Sequence, residues 1–168
     1  MRKVIFIMLA ILLPAAAAAQ QVKFGYLSYD KVLNAMPEHE AVEQNLASLK
    51  AQYETETKNA EKEFNEKYEA FLDGRDELDR PILMKRQAEL QELLKKNAAF
   101  KREAARLLSQ AEADMYAPLR SKLDGALQKI GSERGYAFIL NTDGNALPYV
   151  SSLYGEDITT LVLDEIRK

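Results

Sequence analysis

Asp73-Gly74-Arg75-Asp76-Glu77-Leu78-Asp79-Arg80-Pro81 (residues 73–81) is the one interruption in a helical pattern that otherwise runs from Glu38 to about Ala117 without Gly or Pro. Upstream of it, the apolar positions are Val42, Leu46, Leu49, Tyr53, Ala60, Phe64, Tyr68, Phe71 and Leu78, spaced mostly by three, four or seven. That is a narrow stripe, the seam of a coiled coil rather than the broad face of a globular helix. Glu56, Glu63 and Lys67 interrupt it. This helix spans about 60 Å at 1.5 Å per residue. Downstream, Asp79 suits an N-cap and Pro81 a first turn. Arg86, Leu90, Leu93, Asn97, Phe100, Ala104, Leu107 and Ala111 then alternate by four and three, which is heptad spacing.

Folding the chain at about Glu77 predicts an antiparallel hairpin. Phe71 falls near Leu83, Phe64 near Leu90, Tyr53 near Phe100 and Leu46 near Leu108, with Glu38 near Tyr116 and Pro118. Charge supports the pairing. Residues 38–79 hold thirteen acids and five bases, whereas residues 80–106 hold eight bases and three acids, so the helices are net −8 and +5. Opposite charge on flanking positions selects partner and orientation, although each exposed pair contributes only about 0–1 kcal/mol. A hairpin this long has little apolar surface with which to fold into a globule. It is expected to project, and a projecting arm suits binding better than catalysis. Pro118 disfavours continued helix and is expected where the arm meets the remainder of the chain.

That remainder reads as a small β-containing body. Val22 to Tyr29 alternates as a strand, followed by a short helical turn, Tyr29 to Leu33, with Ser28 or Asp30 as its cap. Pro37 opens the long helix. Leu119, Leu123, Leu127 and Ile130 form an amphipathic stretch that stops near Gly131 or Gly135. Tyr136 to Leu140 reads as a buried strand, Asn141 to Asn145 as a hairpin turn, and Ala146 to Ser151 as a second strand whose Pro148 marks an edge or an end. Asp157-Ile158-Thr159 caps a last helix, Thr160 to Arg167, with Ile158, Leu161, Val162 and Ile166 on its apolar side.

The N-terminus reads as an export signal. Arg2 and Lys3 precede an apolar run from Val4 to Leu13, Pro14 breaks it, and small residues lead to cleavage after Ala19. The run is too short for a good membrane span. The mature chain then has about 149 residues, 21 bases and 26 acids, hence a net charge of −5. That argues against general nucleic-acid binding. With no Cys there is no disulfide and no thiol chemistry.

Enzyme chemistry finds no constellation. His39 is the only histidine and reads as a surface residue at a helix start; Glu61 and Glu66 read as solvated helix charges. Gly131 to Gly135 lacks the Lys-Ser/Thr of a phosphate loop. Asn141 to Asn145 resembles half a calcium loop without its closing Glu. No cofactor and no metal are expected. The distal arm carries more apolar groups than a two-helix tip needs. Phe64, Tyr68, Phe71, Leu83 and Phe100 serve either seam packing or contact with a bound chain; Leu72, Ile82 and Met84 lie off the stripe and read as contacts. Met and aromatic surfaces adapt to many partners.

In order, the chain shows the signal segment, Lys23-Phe24-Gly25-Tyr26-Leu27, Val32-Leu33, Met36-Pro37-Glu38, the hairpin, Gly135-Tyr136-Ala137-Phe138-Ile139-Leu140 and Gly155-Glu156-Asp157-Ile158-Thr159. This ordered set, covering essentially the whole mature chain, resembles the Skp/OmpH family of periplasmic chaperones. The resemblance implies an α+β, mostly α fold: a signal peptide (1–19), a β-rich trimerisation body (20–37 and 118–168), and a helical-hairpin arm (38–117). It implies a homotrimer joined through strands bearing Phe24, Tyr26, Leu27, Tyr136, Phe138 and Leu140. It further implies an ATP-independent holdase in the periplasm, with unfolded outer-membrane β-barrel proteins held between the arms. The best-known members are basic and this chain is acidic, so a lipopolysaccharide contact is not carried over. The alternative is an envelope structural or adaptor protein whose coiled coil docks one folded partner.

Overall fold

The computed structural model describes residues 22–145 and 147–168; the expected signal segment lies outside them. The order of elements is β1 (Phe24–Leu27), α1 (Tyr29–Asn34), α2 (His39–Gly74), a 3-10 turn (Arg75–Glu77), α3 (Arg80–Arg134), β2 (Phe138–Asn141), β3 (Gly155–Asp157) and α4 (Thr159–Ile166), with a further 3-10 turn at Asp143–Asn145. The chain is mostly helical, and it divides into two compact units.

The first unit, Pro37–Arg120, contains α2 and the first part of α3. Side chains of the two helices meet at several places, and partners descend α3 as they ascend α2. Glu43 reaches Tyr116, Tyr53 meets Phe100 with ring centroids 6.3 Å apart, and the Asn97 amide donates to the Ala60 carbonyl at 2.9 Å. Lys101 pairs with Glu61 across the helices. The Tyr53–Phe100 contact is the one expected. Nearer the turn the register differs, and Phe64 shares a recess with Leu94, Asn97 and Ala98 rather than facing Leu90. The cause is the link. The 3-10 turn and the extended Leu78 consume residues beyond Glu77 before α3 starts at Arg80, so the contacts centre nearer Leu78 and Asp79.

Pro118 corrects the expectation that the helix stops there, because α3 runs through it for 55 residues in all. An interior proline removes one backbone hydrogen bond and crowds the carbonyl four residues back, at a cost of about 3 kcal/mol. Pro118 is exposed, so water can satisfy the freed carbonyl, and burial of Leu119, Leu123, Ala126 and Ile130 just beyond it outweighs the loss. Ala126, rather than the half-buried Leu127, shares the buried face with Leu123 and Ile130. The helix ends at Gly135, whose φ of +66° lets the Tyr136 amide reach back to the Gly131 carbonyl at 2.9 Å.

The second unit takes the described residues up to Met36 together with Ser121–Lys168. Its sheet has the order β2-β1-β3, and both pairings are parallel. This overturns the expected hairpin at Asn141–Asn145. Leu147 to Ser151 is irregular, with Ala146 outside the described residues, and the third strand forms later, at Gly155–Asp157. Pro148 has no amide to give a ladder. The turn residues find other work: Asn141 Oδ1 accepts from the Tyr29 and Asp143 amides, and Asp143 Oδ2 accepts from the Asp30 amide at 2.9 Å. Ser28 caps α1 by accepting from the Lys31 amide at 3.1 Å. The core gathers Leu27, Val32, Leu33, Met36, Leu123, Ile130, Ile158, Val162 and Ile166.

Gly155 is a point of close approach. A Cβ there would fall well inside van der Waals contact of the Phe24 ring. The Phe24 ring is also stacked on Phe138, with centroids 5.5 Å apart, and cannot swing aside without breaking that stack. Gly155→Ala is therefore expected to destabilise the chain by about 1–3 kcal/mol, the range for overpacking, read as a lower urea midpoint at unchanged slope. An unchanged midpoint would show that the ring yields freely.

Candidate functional site

In the unit containing α2 and α3, the side chains that sequence places off the stripe are the exposed ones. Leu72 is 46 %, Ile82 47 % and Met84 60 % exposed, and Tyr68 joins them at 44 %. Phe64, Phe71, Leu83 and Phe100 are half-buried: Phe64 stacks on Tyr68 with ring planes 8° apart, and Phe100 packs on Tyr53. The eight candidates therefore separate into four exposed side chains (Tyr68, Leu72, Ile82 and Met84) and four half-buried ones (Phe64, Phe71, Leu83 and Phe100). Leu94, 55 % exposed, belongs with the exposed set and was not singled out from sequence. Its signal is its position one residue past the stripe residue Leu93. The flanking charges are neutralised largely within each helix, as in Lys62–Glu66, Lys96–Glu92 and Arg106–Glu103.

In the other unit, strand alternation sorts the assembly candidates. Leu27 is buried. Phe24 and Tyr26 lie on the opposite face of β1, and parallel register sets Phe138 beside Phe24 and Leu140 beside Tyr26. Phe138 is 48 % exposed, and Phe24, Tyr26 and Leu140 are half-buried. Tyr136 turns inward over Gly25, and its phenol donates to the Glu156 carboxylate. Tyr149, Leu153 and Tyr154, which sequence reasoning left unassigned as a surface, are all largely exposed. They lie in the irregular connection into β3, where no periodicity marks a face.

Tyr116 anchors a polar knot between the two long helices. Its phenol donates to Glu43 and lies 3.3 Å from His39 Nε2, while the Arg120 guanidinium sits 5.7 Å from its ring centroid. His39 is thus half-buried and engaged rather than a free surface residue. The Glu43 hydrogen bond, then burial, pushes the Tyr116 phenol up to about 12; burial, then Glu156, does the same for Tyr136. A raised pKa means that the neutral phenol is the form the fold favours. Its stabilisation is complete below the ordinary value near 10 and is lost as pH rises through about 12. In a spectrophotometric titration, Tyr116 and Tyr136 should ionise above the ordinary tyrosine range, near 12. Tyr116→Phe should remove one late proton, and a late amplitude unchanged by that substitution would contradict the assignment.

Among the described residues, no cluster of three or more His, Asp or Glu side chains is placed to hold a metal ion, and no helix is long and apolar enough to cross a membrane.

The model of the family described as outer membrane protein (OmpH-like) matches residues 23–166. No curated protein matches the chain. Among solved structures, the chain is similar to a candidate outer membrane chaperone (OmpH-like) from Caulobacter crescentus. The TM-score is 0.66 at 14 % identity, covering 86 % of this chain and 83 % of that one. At that identity the likeness concerns the fold.

Proposed function

This chain belongs to the OmpH-like outer membrane protein family, and on that premise we propose that it is a chaperone, a non-enzymatic holdase for unfolded outer-membrane β-barrel proteins in the periplasm. The observation that carries the reading is the trio Leu72, Ile82 and Met84, about half exposed on helices that are otherwise charged. Apolar groups held in water on a long helical pair mark a surface for other chains. Their weak, adaptable contacts suit clients with no fixed shape.

In this reading α2 and α3 form an antiparallel arm. Three copies join through the sheet face of Phe24, Tyr26, Phe138 and Leu140, whose partial exposure supports burial by another subunit. Trimerisation would set several weak surfaces around one client and retain it by multivalency without a tight site. No nucleotide is needed, because capture and release are both equilibria of apolar contact. The acidic balance of the chain places the weight on apolar area rather than on net charge.

The test is light scattering of a urea-diluted β-barrel protein with and without the mature chain. Near-stoichiometric trimer is expected to suppress aggregation, and sedimentation of the same material to give three copies. A monomer, or scattering unchanged by the chain, would overturn the reading in favour of an adaptor that docks a folded partner.

A further inference from the structure

Between α2 and α3, on the side of the Arg75–Glu77 turn, lies a recess of about 690 Å³. Its apolar walls are Ala70, Phe71, Gly74, Leu78, Leu90 and Leu93. Its volume falls within the range of about 300–1,000 Å³ typical of pockets that enclose small organic groups. Two wall positions contribute a methyl group or nothing, and at Gly74 the backbone does not require glycine, since φ is −97° and an added Cβ would meet no atom within 4 Å.

The rim decides what the recess can take. Its charged residues fall into three pairs, each within one helix: Glu63 with Lys67, Arg86 with Glu89 at 3.3 Å, and Glu92 with Lys96 at 2.9 Å. Three acids match three bases, so the lining offers no net charge to an ion brought from outside. A charged occupant would lose hydration and gain no net counter-charge. A neutral ring would lose nothing polar, and rings bury about 150–250 Å² each.

We propose that this recess is an anchor pocket for one uncharged aromatic side chain of an extended polypeptide. The proposal rests on the chaperone reading above and adds a preference to it. Capture at the distal arm selects neutral segments with a bulky ring, and a charge of either sign beside the ring weakens it.

The chain contains no Trp, so a Trp in a blocked synthetic peptide reports its own binding by fluorescence anisotropy. Three peptides are compared, identical but for a central Ser, Asp or Lys beside the Trp. The parent chain is expected to bind the neutral peptide at least tenfold more tightly than either charged one. Ala70→Phe, which fills the recess from an exposed helix position, should weaken the neutral peptide about tenfold with the helical circular dichroism unchanged. Glu92→Gln leaves the rim one positive charge in excess and should improve binding of the Asp peptide alone. Equal binding of all three peptides by the parent, or parental affinity in Ala70→Phe, overturns the proposal. A parent that suppresses aggregation yet binds no neutral peptide overturns the pocket alone, whereas one that does neither overturns the chaperone reading with it.

Discussion

Ile158→Ala should cost about 2–5 kcal/mol, the range for truncating a buried Ile, and should unfold much of the small unit at physiological temperature. Ile158 is fully buried, and its Cδ1 and Cγ2 lie over Gly25 of the central strand. Its amide donates to the Tyr26 carbonyl at 3.0 Å and its carbonyl accepts from Val162 at 2.9 Å, so the backbone cannot slide to fill the space. The neighbours offer no collapse either. Gly25 has no side chain, and Tyr136, which also lies over it, is tied to Glu156. A domain is stable by only about 5–15 kcal/mol, and a small unit buries proportionally less than a large one. Leu161→Ala is the control: the side chain lies three residues further on, in α4, but is half-buried, and its loss should be clearly smaller. The measurement is the urea midpoint by far-ultraviolet circular dichroism. Equal shifts for the two variants would show that the core lies elsewhere.

Local signals were legible in the sequence because their causes are local. The break at residues 73–81, the Ser28 cap and the Gly135 stop each depend on a few neighbouring residues, and each is found in place. The off-stripe positions of Leu72, Ile82 and Met84 followed from helical period alone and match their exposure. The parallel sheet was not legible. Its strands are only three or four residues long, and β1 pairs with residues more than a hundred positions away. No local pattern separates that from a hairpin, and Asn141-Thr142-Asp143-Gly144 carries turn chemistry that serves the start of α1 instead. Pro118 misled for a related reason: a helix-breaking preference is a local cost, and burial of Leu119 and the side chains after it outweighs it. The opposite net charges of the two long helices did not translate into residue pairs: Lys101 meets Glu61 across them, but Lys62–Glu66, Lys96–Glu92 and Arg106–Glu103 each lie within one helix, where neighbours three or four residues apart are closer partners.

Changing Leu72, Ile82 and Met84 together to Ser should lower client affinity about 10–100-fold while the chain stays folded. These side chains are 46 %, 47 % and 60 % exposed, so removing them gives up little intramolecular packing. Against a client each can bury its remaining apolar area at about 25 cal/mol per Å², of order 0.5–1 kcal/mol after the cost of ordering the chain. Three such contacts give about 1.5–3 kcal/mol, and 1.4 kcal/mol is a factor of ten. If three arms act on one client, the apparent loss is larger, since retention depends on several weak contacts holding at once. The readout is retention of an unfolded β-barrel protein by size exclusion, with helicity and sedimentation as controls. The substitutions leave every charge in place, including the basic excess along residues 80–106. Lost retention would therefore assign capture to apolar area around the turn. Undiminished retention that falls steeply with salt would assign it to the charged face of α3, because exposed ionic contacts are screened and apolar ones are not.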